Sequence, residues 1–362
     1  MPLEEIPDDP MPIIHRSCWT IILLVGFGST AVEAAEKADA PPSAKQIALW
    51  TQQLDDDNYF ARESATKSLI RSGKGAIAGV AAAAAGKSLE ATVRAISILD
   101  ELALSTDGAT AKAAKEALVE LAASKHPAAG GRARMALRGH QNRILDELKR
   151  CGAQVQTSDD RIVGVNFDAA QALGANLRLL HELPDLERLS FSTPLMDDNG
   201  MAELKGLPRL SELNLYRSHV GDDGLAYLKT LPSLRRVPMG ETRVTDKGLV
   251  HLQDLPQLEY VGLRGNQVTD AGLVHLRNLT NLTGLYLGET KVTDAGLVHL
   301  RRLTKLNMLL LDHTQVTDAG LVRLEGLTEL RALNLADTRV TAAGIARLSQ
   351  ALPGAQIHVK EQ

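Results

Sequence analysis

The leucines in the second half of this chain recur at one interval. Leu186, Leu210, Leu234, Leu258, Leu282, Leu306 and Leu330 stand 24 residues apart, and each opens a segment of the form L-x-x-L-x-L, with Phe191, Val237, Met239 and Val261 standing in for leucine in three of them. The stretch VTDAGLVHL appears twice, at 268–276 and 292–300. Alternation in L-x-L puts apolar side chains on one side of a strand. The leucines of GLVHL and its flank, three or four apart, read as a short helix. A unit this small cannot bury both sets alone. Neighbouring units must therefore stack and share a continuous core, which makes the region a solenoid. One period before Leu186 lies Ile162, where IVGVNF keeps the apolar pattern with other side chains. The count is seven clear repeats and one atypical repeat ahead of them.

The turn residues agree with this. Thr269, Thr293 and Thr317 can cap the helix that follows, and Asp270, Asp294 and Asp318 fall in its first turn, where negative charge is favoured. Val268, Val292 and Val316 point inward with the leucines. Gly272, Gly296 and Gly320 serve either a close approach between neighbouring coils or a positive φ.

Over about 160–359 the repeat is similar to the leucine-rich repeat family, carried by the leucine spacing, T-D-x-G-L and the period. Repeat length and the T-D-x-G-L element resemble its ribonuclease-inhibitor-like and bacterial secreted subclasses. The resemblance implies an α/β solenoid, an arc with a concave parallel β-sheet and short convex helices, and a role in binding proteins. The asparagine common after L-x-x-L-x-L-x-x in that family is present only as Asn266; Pro194, Ser218, Thr242, Thr290, Thr314 and Thr338 replace it elsewhere. Threonine can bond nearby backbone, so the bend is expected to persist. Residues 153–185 are expected to cap the array, with a small β element around 154–167 and the atypical first repeat. Residues 186–362 hold the repeats and a C-terminal cap, in which LPGAQIHV supplies a last strand and Gln356, His358, Lys360 and Glu361 its polarity.

Residues 46–152 are different. Apolar spacing there is 3.6, as in LEATVRAISILDELA, where Leu89, Val93, Ile96, Leu99 and Ala103 share one stripe. About six short, alanine-rich helices are expected to pack in antiparallel pairs, since none is stable alone. ARESATKSLIRSG and ATVRAISILDELA resemble a HEAT-type helical repeat, which implies an interaction scaffold; a plain helical bundle is the other reading. AAAAAGKS at 81–88 ends like a phosphate loop, but Ala81 stands where glycine is required, and the motif belongs between a strand and a helix.

Residues 1–34 contain the one long apolar run, 19–32, preceded by Arg16, with Val32 at its end and Ala34 just beyond at small-residue processing spacing. As a helix the run rises only about 21 Å, short of the roughly 20 residues a bilayer needs. It reads as a cleaved signal for export to a periplasmic, envelope or extracellular site, with a retained anchor as the alternative. The acidic start MPLEEIPDDP makes Met11 a rival to Met1 as first residue, and 35–45 reads as a linker. Cys18 and Cys151 form no disulfide framework. A net charge of −4 without a basic stripe argues against nucleic acid.

Strand residues beside the leucines form columns across the coils. Glycines at 240, 262, 265, 284 and 288 are expected to leave a shallow patch, surrounded by Tyr216, Arg217, Tyr260, Arg264, Tyr286, Met308, Asp312 and His313. Tyrosine, arginine and methionine are enriched at protein interfaces. At about 4.8 Å per coil the face is roughly 30 Å long. These eight residues are the candidate protein-binding site. His251, His275 and His299 are one period apart, but a parallel ladder diverges where a metal needs converging ligands. No catalytic, dinucleotide or zinc signature is present, so the chain reads as a monomeric, non-enzymatic module without cofactor or metal that takes a protein partner. The alternatives are a structural or envelope spacer and an enzyme whose site sequence motifs do not reveal.

Overall fold

The computed structural model describes residues 41–159, 161–174 and 176–359. The signal or anchor at 19–32, Cys18, most of the linker, and Lys360 and Glu361 of the C-terminal cap lie outside the described residues. The chain divides into two compact units at Ala136/Leu137, inside the helix Pro127–Arg150. Among the described residues no helix is long and apolar enough to cross a membrane.

The first unit is helical. α1 (Ala44–Gln53), α2 (Tyr59–Arg71), α3 (Ile77–Ala84), α4 (Leu89–Leu102) and α5 (Gly108–Ala123) precede α6 (Pro127–Arg150). Four of the starts have a side-chain cap. Ser43 and Gln46 form a reciprocal capping box at α1, and Asn58, Ser88 and Asp107 accept backbone N–H bonds at the N-termini of α2, α4 and α5. Gly73, just past α2, has φ +54°, a backbone state in which glycine has no Cβ penalty. Small residues let the helices approach: Ala65, Val80, Ala84, Ala95 and Ala114 are buried with Leu69, Leu99 and Leu118. Buried Thr92 donates to the Ala84 carbonyl at 3.0 Å, satisfying an orphan acceptor at the end of α3. The expected stripe fails at Leu89, which is 61% exposed because it is the first residue after the Ser88 cap. The AAAAAGKS stretch ends α3 and turns into α4, with Ser88 as cap, so it joins helix to helix.

The second unit is the α/β solenoid. Its ten strands lie in chain order in a single sheet: β1 (Gln154–Ser158), β2 (Arg161–Asn166), β3 (Arg188–Ser190), β4 (Glu212–Asn214), β5 (Arg236–Pro238), β6 (Tyr260–Gly262), β7 (Gly284–Tyr286), β8 (Met308–Leu310), β9 (Ala332–Asn334) and β10 (Gln356–His358). β1 and β2 are antiparallel, and every later pairing is parallel with a one-coil register, such as Val261 opposite Leu285. The seven period-defining leucines are at most 1% exposed, and Leu213, Leu263, Leu287 and Leu311 are fully buried in one spine. Phe167 and Phe191, stacked at 5.0 Å, fill the N-terminal end of that spine.

Away from the sheet, coils are bound by a repeated bond pair. Asp270 Oδ1 accepts the Thr293 backbone N–H at 2.8 Å and Oδ2 accepts its hydroxyl at 2.6 Å. Asp222 with Thr245, Asp246 with Thr269, Asp294 with Thr317, and Asp318 with Thr341 do the same. These aspartates therefore act on the next coil, beyond favouring their own helix start. The same carboxylates explain the glycines: a Cβ on Gly248 would lie 2.5 Å from Asp222 Oδ1, and Gly272, Gly296 and Gly320 face equivalent clashes. None of these glycines has a positive φ, so close approach is the reason for them. Thr242, Thr290, Thr314 and Thr338 each donate to the carbonyl three residues back, while Asn266 reaches across to Met239 O and Thr242 N. The bend survives without asparagine because threonine caps it locally.

Candidate functional site

Just past each strand the chain makes a sharp turn. Arg217, Glu241, Gly265, Glu289, His313 and Asp337, one per coil, have φ between +53° and +72°. The cause is a hydrogen bond carried one step beyond the strand: Arg217 N–H donates to Gly240 O, Glu241 to Arg264 O, Glu289 to Asp312 O and His313 to Ala336 O, at 2.7–2.9 Å. Holding that bond while the chain turns requires the left-handed region, which costs a non-glycine residue roughly 1–2 kcal/mol. Gly265 avoids the cost; the other five accept it and project side chains along the edge of the concave face.

Those side chains form a line of alternating charge. Arg217 Nε is 2.8 Å from Glu241 Oε2, and the Tyr216 hydroxyl donates to Glu241 Oε1. Arg264 Nη2 is 2.5 Å from Glu289 Oε1, and His313 Nε2 is 3.2 Å from Asp337 Oδ2. The Arg217 guanidinium, with the Tyr216 hydroxyl second, holds the Glu241 carboxyl below the usual glutamate range. The same bond to Glu241 raises the Tyr216 phenol.

Inside this edge lie the rings. Tyr260 and Tyr286 meet edge to face at 4.9 Å, Arg236 lies 4.7 Å over the Tyr260 ring, and the Tyr286 hydroxyl donates to Met308 Sδ at 2.7 Å. Burial is the main reason the Tyr260 phenol is raised well above its ordinary value. The expected empty glycine patch is not there. Tyr216 packs over Gly240, Tyr260 over Gly284, and the Asp312 carboxylate over Gly288; a Cβ at these glycines would meet those groups at 3.2, 2.7 and 2.6 Å. The glycines are sockets for side chains of neighbouring coils, which sequence columns alone do not reveal.

Of the eight candidate residues, Tyr216, Tyr260, Arg264, Tyr286 and Met308 are half-buried, and Arg217 and His313 are exposed. Asp312 differs, at 4% exposure. Arg217 and Tyr216 form one group with Glu241. Tyr260, Tyr286 and Met308 form a second with Arg236. Arg264, Asp312 and His313 form a third with Glu289 and Asp337. The sequence columns hold Glu241, Glu289 and Asp337 in the correct register but do not single them out. The signal that could have found them is Gly265, a glycine in a column otherwise charged or polar, which marks a left-handed turn. Among the described residues, the one group of three metal-capable side chains gathered together is Glu289, Asp312 and His313; His251, His275 and His299 are not so gathered. In the helical unit, an open groove of about 530 Å³ runs between α1 and α3, lined by Ile47, Thr51, Gly75, Gly79, Ala82 and Ala83 among others.

The chain matches no protein-family model and no curated protein. Solved structures with a similar fold are leucine-rich repeat proteins. An internalin, InlF, from Listeria monocytogenes is 24% identical over 52% of this chain and 60% of its own, with TM-score 0.41. Internalin C2 from the same species is 22% identical over 55% and 81%, also with TM-score 0.41. The leucine-rich repeat ectodomain of the Arabidopsis receptor kinase HAESA, solved in complex with an IDA peptide hormone ligand, is 17% identical over 61% and 42%, with TM-score 0.41. The match thus spans only part of each of these chains.

Proposed function

We propose that this chain is an exported, non-enzymatic interaction module that binds a protein partner through the concave face of its solenoid. The observation that carries this reading is the strained edge. Five residues there keep a left-handed backbone with long or charged side chains, although Gly265 shows the cheaper solution within the same array. Strain accepted in copy after copy supports a role for the side chains themselves. On and beside the edge, Tyr216, Arg217, Tyr260, Arg264, Tyr286, Met308 and His313 offer rings, guanidinium groups and a thioether already fixed by intramolecular contacts, so binding orders few side chains. Asp312, being buried, packs its carboxylate over Gly288 of the neighbouring coil and faces Arg264 and His313. Residues 46–152 join this reading as one HEAT-like helical unit, with 153–185 as the cap of the array. Export rests on residues 19–32, and sequencing of the mature N-terminus tests it: a chain beginning near residue 35 is expected, and one retaining 19–32 is an anchored protein.

Affinity capture from the native envelope, with wild-type chain beside an Arg264→Ala/Tyr286→Ala variant, tests the rest. The expected result is a partner held by wild type and lost by a variant that still shows the wild-type circular dichroism. An identical set of captured proteins from both chains overturns this reading in favour of a spacer.

A further inference from the structure

Asp312 is anomalous. Its side chain is 5% exposed, and its Oδ1 receives no hydrogen bond. Oδ2 has Arg264 Nη1 and His313 Nδ1 at 3.6 Å, within ion-pair range but too far for a hydrogen bond. Arg264 offsets part of the charge but leaves Oδ1 buried without a donor, a position proteins ordinarily satisfy with a hydrogen bond or a metal.

The surroundings suit an ion. One ligand atom each from Glu289, Asp312 and His313 lies within 4.8 Å of the other two. Oxygen and nitrogen ligands about 2.0–2.2 Å from a zinc-like ion stand roughly 3–4.4 Å apart, so only a small inward movement brings all three to one centre. His313 Nε2 faces Asp337 Oδ2 at 3.2 Å while Nδ1 faces Asp312; a carboxylate on the far nitrogen is the arrangement that orients a metal-bound imidazole. The left-handed turns at Glu289 and His313 fix where these side chains leave the backbone. Gly288 leaves the space that the Asp312 carboxylate occupies.

We infer that Glu289, Asp312 and His313 form a site for a divalent transition-metal ion of the zinc class, with Asp337 positioning the imidazole. An imidazole beside two carboxylates suits zinc, iron or nickel better than magnesium or calcium. Three protein ligands leave at least one coordination position for water or for a carboxylate or carbonyl of a bound molecule. Arg264 is the competing cation, 2.5 Å from Glu289 and 3.6 Å from Asp312. Metal entry therefore displaces part of its ion pairing. The inference does not rest on the protein-binding reading, because the ion binds the chain alone.

Isothermal titration of the chelator-treated full chain with ZnCl2, and separately with MgCl2, tests it. Wild type is expected to take up one Zn²⁺ per chain and to bind Mg²⁺ at least tenfold more weakly. Asp312→Asn and His313→Asn each weaken zinc at least tenfold, asparagine being a residue that tolerates the left-handed backbone at position 313. Asp337→Asn weakens it about tenfold or more, His275→Gln leaves it unchanged, and Arg264→Met tightens it. Thermal melts establish that each variant is folded. Absence of saturable zinc binding by wild type overturns the inference. So does unaltered affinity in Asp312→Asn, or loss of binding in His275→Gln, which would assign the ion to the histidine ladder instead.

Discussion

The two edges of the solenoid obey opposite rules. On the edge away from the sheet, aspartate, threonine and glycine recur from coil to coil, and each aspartate makes the same two bonds to the following coil. On the concave edge the backbone recurs just as faithfully, with φ held between +53° and +72°, but the residues there are Arg217, Glu241, Gly265, Glu289, His313 and Asp337. Identical side chains on identical backbone mark a part that holds coils in register. Different side chains on identical, costly backbone mark a part where geometry is fixed and chemistry is free to vary. The first edge is architecture, and the second is where the solenoid can be given a task.

The largest expected effect comes from breaking the architectural edge. Gly296→Ala drives a Cβ into Asp270 Oδ1 and against Leu273 Cδ1 at 3.0 Å, and urea unfolding should show a loss of about 3 kcal/mol, at the upper end for overpacking. Asp270→Ala leaves the Thr293 N–H without its partner and should cost about 2 kcal/mol. The Asp270→Ala/Gly296→Ala double variant should lose clearly less than the sum, because removing the carboxylate removes the clash; strict additivity would refute the socket. Much smaller is the effect of Glu289→Gly on the concave edge. Relief of the φ strain offsets loss of the Arg264 ion pair, so stability should change by less than about 1 kcal/mol.

Acid gives the smallest effect. Glu241 has a depressed folded pKa, so its contribution is fully present above the usual glutamate value of about 4.5 and is lost as pH falls through the lower folded value. Glu241→Gln should lower the melting temperature slightly near neutrality, and the two profiles should converge as pH falls through the folded value, so that the acid side of the variant's profile is flatter. Asp318, held low by the Thr341 hydroxyl and then by its backbone N–H, follows the same sign on the other edge.

The architectural edge is largely legible in the amino-acid sequence. A period of 24 places Leu263, Leu287 and Leu311 in one column and Leu213 in the column beside it, and all are buried in one spine. Thr269 and Thr317 cap as their positions imply. The glycines of T-D-x-G-L admit two readings, and only the neighbouring coil's aspartate decides between them. The concave edge is legible in register and illegible in contact. Columns put Tyr216 beside Gly240 and Asp312 beside Gly288, but which ring or carboxylate fills which socket depends on rotamers reaching across coils. The burial of Asp312 follows from that, and a sequence pattern cannot anticipate it. In the helical unit, periodicity locates Leu99 and Leu118 in the core but misassigns Leu89, because a residue at the first position of a helix has no preceding turn to cover it.

The aspartate–threonine bonds run one way along the array: each coil offers a carboxylate forward and presents a hydroxyl and an N–H backward. Any coil therefore carries both halves of the joint. A whole 24-residue insert placed between two existing coils would find its connector ready at either side, whereas an insert shorter by one residue would put part of its coil out of register. Such an array can grow or shrink in units while its ends stay as they are, and the length of the concave face becomes a quantity that duplication alone can set.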